Sequence, residues 1–157
     1  QMALILMDID HFKNINDNHG HTAGDAVLQH LARLLRQSLR DEDSVGRVGG
    51  EEFLLLLPDT SKHDAIAAAM RIRKRLALQP CRFDGIELPV TLSMGIATSD
   101  EGLHLRDLIE LADRRLYAAK DAGRDRMVTE GFADKTASDN AERLVQGVER
   151  ALETSEA

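Results

Sequence analysis

Val48-Gly49-Gly50-Glu51-Glu52-Phe53 lies between Asp43 and the apolar run Leu54-Leu55-Leu56-Leu57. Adjacent glycines tolerate positive φ and let a chain reverse tightly, so the stretch reads as strand, turn, strand. Val45 and Val48 belong to the incoming strand and Phe53 to Leu57 to the outgoing one. Glu51 and Glu52 then sit at the tip of a hairpin, on alternate sides of the departing strand. Two carboxylates at a turn have an ordinary explanation as solvated charge, and the rest of the chain decides whether they are more.

Upstream, Ala3 to Ile9 is apolar except for Asp8, the pattern of a central strand buried on both faces. Asp8 and Asp10 fall at its C-terminal end, where open α/β sheets place their ligands. An Asp-x-Asp there reads either as a strand end turning polar or as a metal-binding carboxylate, since Asp8 after five apolar residues needs a partner. His11 to Gly24 is rich in Asn, Asp, His and Gly and reads as a loop. Thr22 and Asp25 make a capping pair for a helix buried through Val27, Leu28, Leu31, Leu34, Leu35 and Leu39. Asp25 then has a local role in the first turn, favoured by the helix dipole. The spacing of His11, His19 and His21 matches no common zinc site.

Downstream, Pro58-Asp59-Thr60 announces a helix from about Ser61 to Leu78, with Ile66, Ala69, Ile72 and Leu76 facing inward. Arg71, Arg73, Lys74 and Arg75 read as its solvated face. Asp84-Gly85 marks a second hairpin. Pro89 to Ala97 alternates as a strand with one core face. A third long helix runs from about Leu105 to Ala122, buried through Leu105, Leu108, Ile109, Ala112 and Leu116 and stopped by Gly123. Met127-Val128 follows as a short edge strand. From Gly131 the chain turns polar and acidic, with Leu144, Val145, Val148 and Leu152 spaced for one amphipathic helix after a Ser138 or Asp139 cap.

The predicted fold is α/β: a mixed central sheet with flanking helices, one domain over residues 1–130, and a polar tail over 131–157. At 157 residues the chain is long enough for a real core, and 43% apolar with 30% charged residues is ordinary for a globular protein. A net charge of −7 argues against a nucleic-acid or anionic-membrane face. The lone Cys81 fits a reducing, cytoplasmic compartment, and no run reaches the roughly 18 apolar residues of a membrane span. The opening at Gln1, directly before a strand, is the pattern of a piece of a longer protein. If the first strand lies beside the hairpin, Asp8 converges with the two glutamates. Convergent carboxylates repel unless a cation joins them, which predicts Mg²⁺ and, beside it, a phosphate-bearing substrate.

The hairpin Gly49-Gly50-Glu51-Glu52-Phe53 resembles the signature of the GGDEF family, the diguanylate cyclases, in its Glu variant. Asp8-x-Asp10-x-Phe12-Lys13-x-Ile15-Asn16-Asp17-x-x-Gly20-His21-x-x-Gly24-Asp25 resembles the family's first block, and Tyr117-x-x-Lys120-x-x-Gly123-Arg124 its last. Three separated blocks in order, over roughly Ala3 to Val128, make the signal specific. The resemblance implies a fold akin to the adenylyl cyclase and polymerase palm, and condensation of two GTP into cyclic di-GMP with release of two pyrophosphates. It implies Mg²⁺, with Mn²⁺ as a substitute, on Asp8, Glu51 and the Ile9 carbonyl. Glu52 would be a second essential acid, acting as metal ligand or general base. Asn16 and Asp25 would read guanine, whose N1–H and exocyclic amine suit a carboxylate. Lys13, Lys120 and Arg124 would neutralise phosphates, with Phe12, Gly49 and Gly50 shaping the nucleotide's surroundings. One domain would bind one GTP, so turnover implies a homodimer.

Arg40-x-x-Asp43 stands where the family carries a product-inhibition site, and Arg71 matches a second arginine that closes it. Three features depart from the family pattern. Asp125 replaces the usual Asn and puts a negative charge beside Arg124, the family's upstream helix is absent, and so is any sensory region. The rival reading is a binding module for GTP or cyclic di-GMP without turnover, but the intact Asp8, Glu51, Glu52 and Lys120 favour the enzyme. A structural dimerisation domain would leave the three blocks as coincidence.

Overall fold

β1 (Met2–Ile9) is the middle strand of a five-stranded sheet in the computed structural model, which describes residues 1–101, 104–132 and 140–155. β3 (Glu52–Pro58) and β6 (Leu92–Thr98) flank it antiparallel, β2 (Ser44–Arg47) pairs with β3, and β7 (Met127–Val128) lies parallel to β6 at the other edge. The sheet order is therefore β2-β3-β1-β6-β7. β4 (Cys81–Phe83) and β5 (Ile86–Leu88) form the separate hairpin turned by Asp84-Gly85.

Because strand side chains alternate, β1 feeds two cores. Ala3, Ile5, Met7 and Ile9 pack with Phe53, Leu55 and Leu57 beneath α2 (His21–Ser38) and α3 (Lys62–Leu78). Leu4 and Leu6 pack with Leu54 against α4 (Leu105–Asp121) and α5 (Ala141–Ser155). The same alternation sends Asp8 and Glu52 to the α4 and α5 side.

The reading of His11 to Gly24 as a loop is corrected: Phe12–His19 is a helix, α1. Its composition is poor in helix formers, but Phe12 and Ile15 pack on the core and supply what propensity does not. Gly20, at φ 89, ends α1 and starts α2 at one residue, its N–H donating to the Asn16 carbonyl and its own carbonyl accepting from Ala23. Thr22 is therefore inside α2 and caps nothing, and Asp25 lies past the first turn. At α3 the cap is Ser61, whose Oγ accepts from the Asp64 N–H.

β6 is buried on both faces, not one, and begins at Leu92. A Cβ at Gly95 would fall 2.0 Å from the Ala112 carbonyl oxygen, so the missing side chain lets α4 close on the strand. Leu105, expected in the core, is 38% exposed at the start of α4. The arginines of α3 are engaged rather than merely solvated: Arg75 donates to the Gln37 carbonyl and Ser38 Oγ, Arg71 to the Ser38 carbonyl, and Arg73 to Asp125. Arg115, 2% exposed, donates to the Ile96 carbonyl and forks onto Glu101 at 2.6 and 3.0 Å. Burial would raise the Glu101 carboxyl, but Arg115 and the Thr98 N–H outweigh it and hold it below its ordinary value. Leu144 and Val148 anchor α5 to the sheet; the caps considered for it, Ser138 and Asp139, lie outside the described residues. No helix among the described residues is long and apolar enough to cross a membrane.

Candidate active site

Asp8 and Glu52 are register partners on β1 and β3, so they face each other across one rung of the sheet. The main chain ties the rung to the turn: the Ile9 N–H donates to the Glu51 carbonyl at 3.2 Å and the Val48 N–H to the Glu52 carbonyl at 2.9 Å. Neither Gly49 nor Gly50 adopts positive φ, so the conformational argument for this pair does not hold. A Cβ at Gly49 would lie 2.3 Å from Glu52 Oε2 and 2.7 Å from Arg143 Nη1, so these two side-chain ends use the space that the glycine leaves, whereas Gly50 faces open space. Arg47 holds the turn from outside, its Nε donating to the Gly49 and Gly50 carbonyls at 3.2 and 3.0 Å.

Asp8 is 6% exposed, and burial pushes its carboxyl from 3.8 up to about 6. Lys120, delivered by the last turn of α4, opposes that shift from 2.8 Å, while the charges of Glu51 and Glu52 add to it. Glu52 meets a different cation: Arg143 Nη2 of α5 donates to Oε2 at 2.5 Å. Arg143 lies in the stretch read from sequence as a polar tail, and nothing in such a tail signals a contact across 91 residues of sequence. Asp10 settles the other half of the Asp-x-Asp. Its oxygens accept from Thr91 Oγ1 (2.7 Å), Ser93 Oγ (2.6 Å) and the Asp125 N–H (3.0 Å), which makes it a structural acid.

Those bonds anchor the turn that follows α4. Gly123 (φ 114), Arg124 (φ 65) and Asp125 (φ 47) all take left-handed conformations there. Asp125 does not stand as uncompensated charge beside Arg124, since Arg73 pairs with its carboxylate at 2.9 Å and bonds its carbonyl at 2.8 Å.

The proposed guanine readers lie where α1 meets α2. A Cβ at Gly24 would fall 1.9 Å from Asn16 Oδ1 and 3.1 Å from Phe12 Cζ, so this glycine lets the two helices close and sets Asn16 against α2. Asn16 Oδ1 is buried without a hydrogen-bond partner within the chain. Asp25 and Lys13 are exposed on α2 and α1. Arg40, Asp43 and Arg71 come together elsewhere, lining a cavity of about 200 Å³ with Asp59, Thr60 and Asp64. Arg40 donates to both Asp43 oxygens, at 2.9 and 3.3 Å, to the Pro58 carbonyl at 3.0 Å and to Thr60 Oγ1 at 2.9 Å.

Carboxylate oxygens are hard donors of the kind Mg²⁺ and Mn²⁺ take, and the facing Asp8 and Glu52 are the pair such a cation would join. Among the described residues no three acidic, histidine or cysteine groups stand ready as a metal site. Each of the two acids is instead met by a protein cation, an ammonium on Asp8 and a guanidinium on Glu52, marking where positive charge is needed. The donor chemistry fits.

Residues 1–126 match the family described as diguanylate cyclase, GGDEF domain. The chain belongs to that family. This GGDEF chain is 40% identical over 127 residues to diguanylate cyclase A of Treponema denticola, covering 80% of the chain and 34% of the relative. It is 47% identical over 127 residues to diguanylate cyclase DgcP of Pseudomonas aeruginosa, covering 80% and 19%. The chain thus spans about a third and a fifth of the length of these two relatives. Among solved structures it resembles the GGDEF domain of DgcB from Caulobacter crescentus in complex with c-di-GMP, at 28% identity and a TM-score of 0.74, covering 85% of this chain and 78% of that one. The mixed sheet with flanking helices is the fold of these GGDEF domains.

Proposed function

We propose that this GGDEF domain is a diguanylate cyclase that condenses two GTP into cyclic di-GMP and two pyrophosphates. One observation carries the reading: two acids, the buried Asp8 and the partly buried Glu52, face each other on one rung of the sheet, and each is held against a cation. A fold gains nothing in stability from an aspartate whose carboxyl is pushed up to about 6, so the arrangement is best explained by a ligand.

Asp8 and Glu51, with the Ile9 carbonyl, would hold Mg²⁺, for which Mn²⁺ would substitute, and Glu52 would serve as ligand or as general base. The cation supplies charge neutralisation for the triphosphate and lowers the pKa of the attacking 3′-hydroxyl. Lys120, already at Asp8, would move its charge to the phosphates, with Lys13 on α1 and Arg124 on the turn after α4. Asn16 Oδ1, buried and unpartnered, would accept from the guanine, and Asp25 would accept from its N1–H and exocyclic amine. Phe12 and the side-chain-free Gly49-Gly50 turn would flank the nucleotide. Each domain binds one GTP, so two must face each other and the working unit is a homodimer.

Arg40, Asp43 and Arg71 would bind cyclic di-GMP as an inhibitor, arginine donating to guanine N7 and O6 and aspartate accepting from its amine edge. A GTP-consuming domain with one unpaired thiol belongs in the cytoplasm, and its net charge of −7 does not suit a nucleic-acid partner. The test is to fuse the chain to a dimerising coiled coil and supply GTP with MgCl₂. Two pyrophosphates per cyclic di-GMP are expected; GTP bound with no pyrophosphate released would favour a binding module instead.

A further inference from the structure

Arg143 lies beyond the residues that match the family, and none of the roles above uses it. Its helix is firmly seated. Ala141, Leu144 and Val148 are 2, 0 and 2% exposed, and Gly147 rests on Val48, where a Cβ would come within 3.0 Å of the valine Cβ. That seating fixes the helix but not the guanidinium, whose side chain is 46% exposed on a long stem. From it Nη2 bonds Glu52 Oε2 at 2.5 Å, Nη1 the Val48 carbonyl at 3.0 Å, and Nε the Asn140 Oδ1 at 2.8 Å. The guanidinium also abuts the glycine turn, since a Cβ at Gly49 would lie 2.7 Å from Nη1.

We propose that Arg143 is a partner-switching cation of the nucleotide site. It neutralises Glu52 until a divalent cation takes that carboxylate, and then it passes to a phosphate of the bound nucleoside triphosphate. The inference rests on the Mg²⁺ and GTP reading above. A guanidinium and a divalent cation repel at the few ångströms that separate two partners of one carboxylate, and this repulsion exceeds what a half-exposed ion pair contributes. α5 is held by apolar burial, so the side chain swings while the helix stays docked. The displaced guanidinium remains beside the Gly49-Gly50 turn, where the triphosphate is placed, and arginine's planar fork matches phosphate oxygens.

The two halves have opposite signs, which sets them apart from a structural strut. In the full chain, Arg143→Met keeps the stem and removes the charge, and Arg143→Lys restores the charge. Binding of MnCl₂ alone, read from the electron paramagnetic resonance of free Mn²⁺, is expected to tighten several-fold in Arg143→Met. Binding of the α,β-methylene analogue of GTP in saturating Mg²⁺, read by calorimetry, is expected to weaken about tenfold, with Arg143→Lys recovering part of both changes. Unchanged Mn²⁺ affinity, or both affinities weakening together, would overturn the switch. If Mn²⁺ binds the parent but Glu52→Gln leaves that binding untouched, the metal reading at Glu52 fails and takes the switch with it. Mn²⁺ binding that depends on Glu52 and ignores Arg143 overturns the switch alone.

Discussion

An arginine–carboxylate pair stands at each end of β3, and the two are built on different principles. At the hairpin end, Glu52 faces Asp8 across the sheet, both under α4 and α5, and the positive charge reaches them from distant parts of the chain. At the other end, Arg40 and Asp43 are three residues apart in a tight turn, joined by three hydrogen bonds and braced on the Pro58 carbonyl. The first arrangement keeps two acids close, and burial together with the nearby glutamate charges holds the Asp8 carboxyl above its ordinary value. The second is a relaxed, preformed clasp beside a cavity. Chemistry is expected where the fold sustains a cost, and recognition where it has already oriented its donors.

The sharpest way to break this contrast is Glu52→Gln, which keeps the shape and removes the charge. Turnover is expected to fall by ~1000-fold or more, followed as pyrophosphate release, while the chain stays folded. Substantial residual activity would place the chemistry elsewhere.

A second measurement concerns the cost of the buried acid. The Asp8 carboxyl titrates at about 6 when folded against 3.8 unfolded, so between these values the folded chain holds a proton that the unfolded chain has released. Stability therefore declines as pH rises through this window, and the full penalty, on the order of 3 kcal/mol, is present above it. Asp8→Asn removes the penalty: the unfolding free energy is expected to rise by about 2–3 kcal/mol near pH 7.5 and to change little near pH 4 in urea titrations. The value near 6 already includes the opposing pull of Lys120, so a loss of stability at neutral pH would mean that the folded carboxyl does not lie above its unfolded value.

The smallest effect belongs to the relaxed end. Arg40→Ala is expected to weaken inhibition by added cyclic di-GMP about tenfold, the worth of a charged hydrogen bond or two, with the initial rate unchanged. Equal inhibition of variant and parent would remove Arg40, Asp43 and Arg71 from that role.

Much of this was legible in the residues themselves. The run Ala3 to Ile9 shows a strand buried on both faces, and the alternation that sends Leu4 and Leu6 to one core sends Asp8 with them. The glutamates, Lys120 and the Arg40–Asp43 spacing are visible because each sits in a local pattern. What escaped was set by packing. α1 has polar composition and becomes helical because Phe12 and Ile15 dock. β6 gains a second buried face because Gly95 admits α4. Arg143 looks like any charged residue of a polar tail until α5 lays it against Glu52. Asp8 stands out in the sequence by following five apolar residues, whereas the partners of Asp10, the hydroxyls of Thr91 and Ser93, lie 81 and 83 residues away and leave no local pattern.

The most direct test of the proposed cyclase activity is a dilution series of the purified chain with GTP and MgCl₂, following cyclic di-GMP and pyrophosphate together. If two GTP-loaded domains must meet, the rate per mole of protein rises with protein concentration and pyrophosphate forms in twofold excess over cyclic di-GMP. A rate per mole independent of concentration, or GTP bound at every concentration without pyrophosphate, would contradict the account.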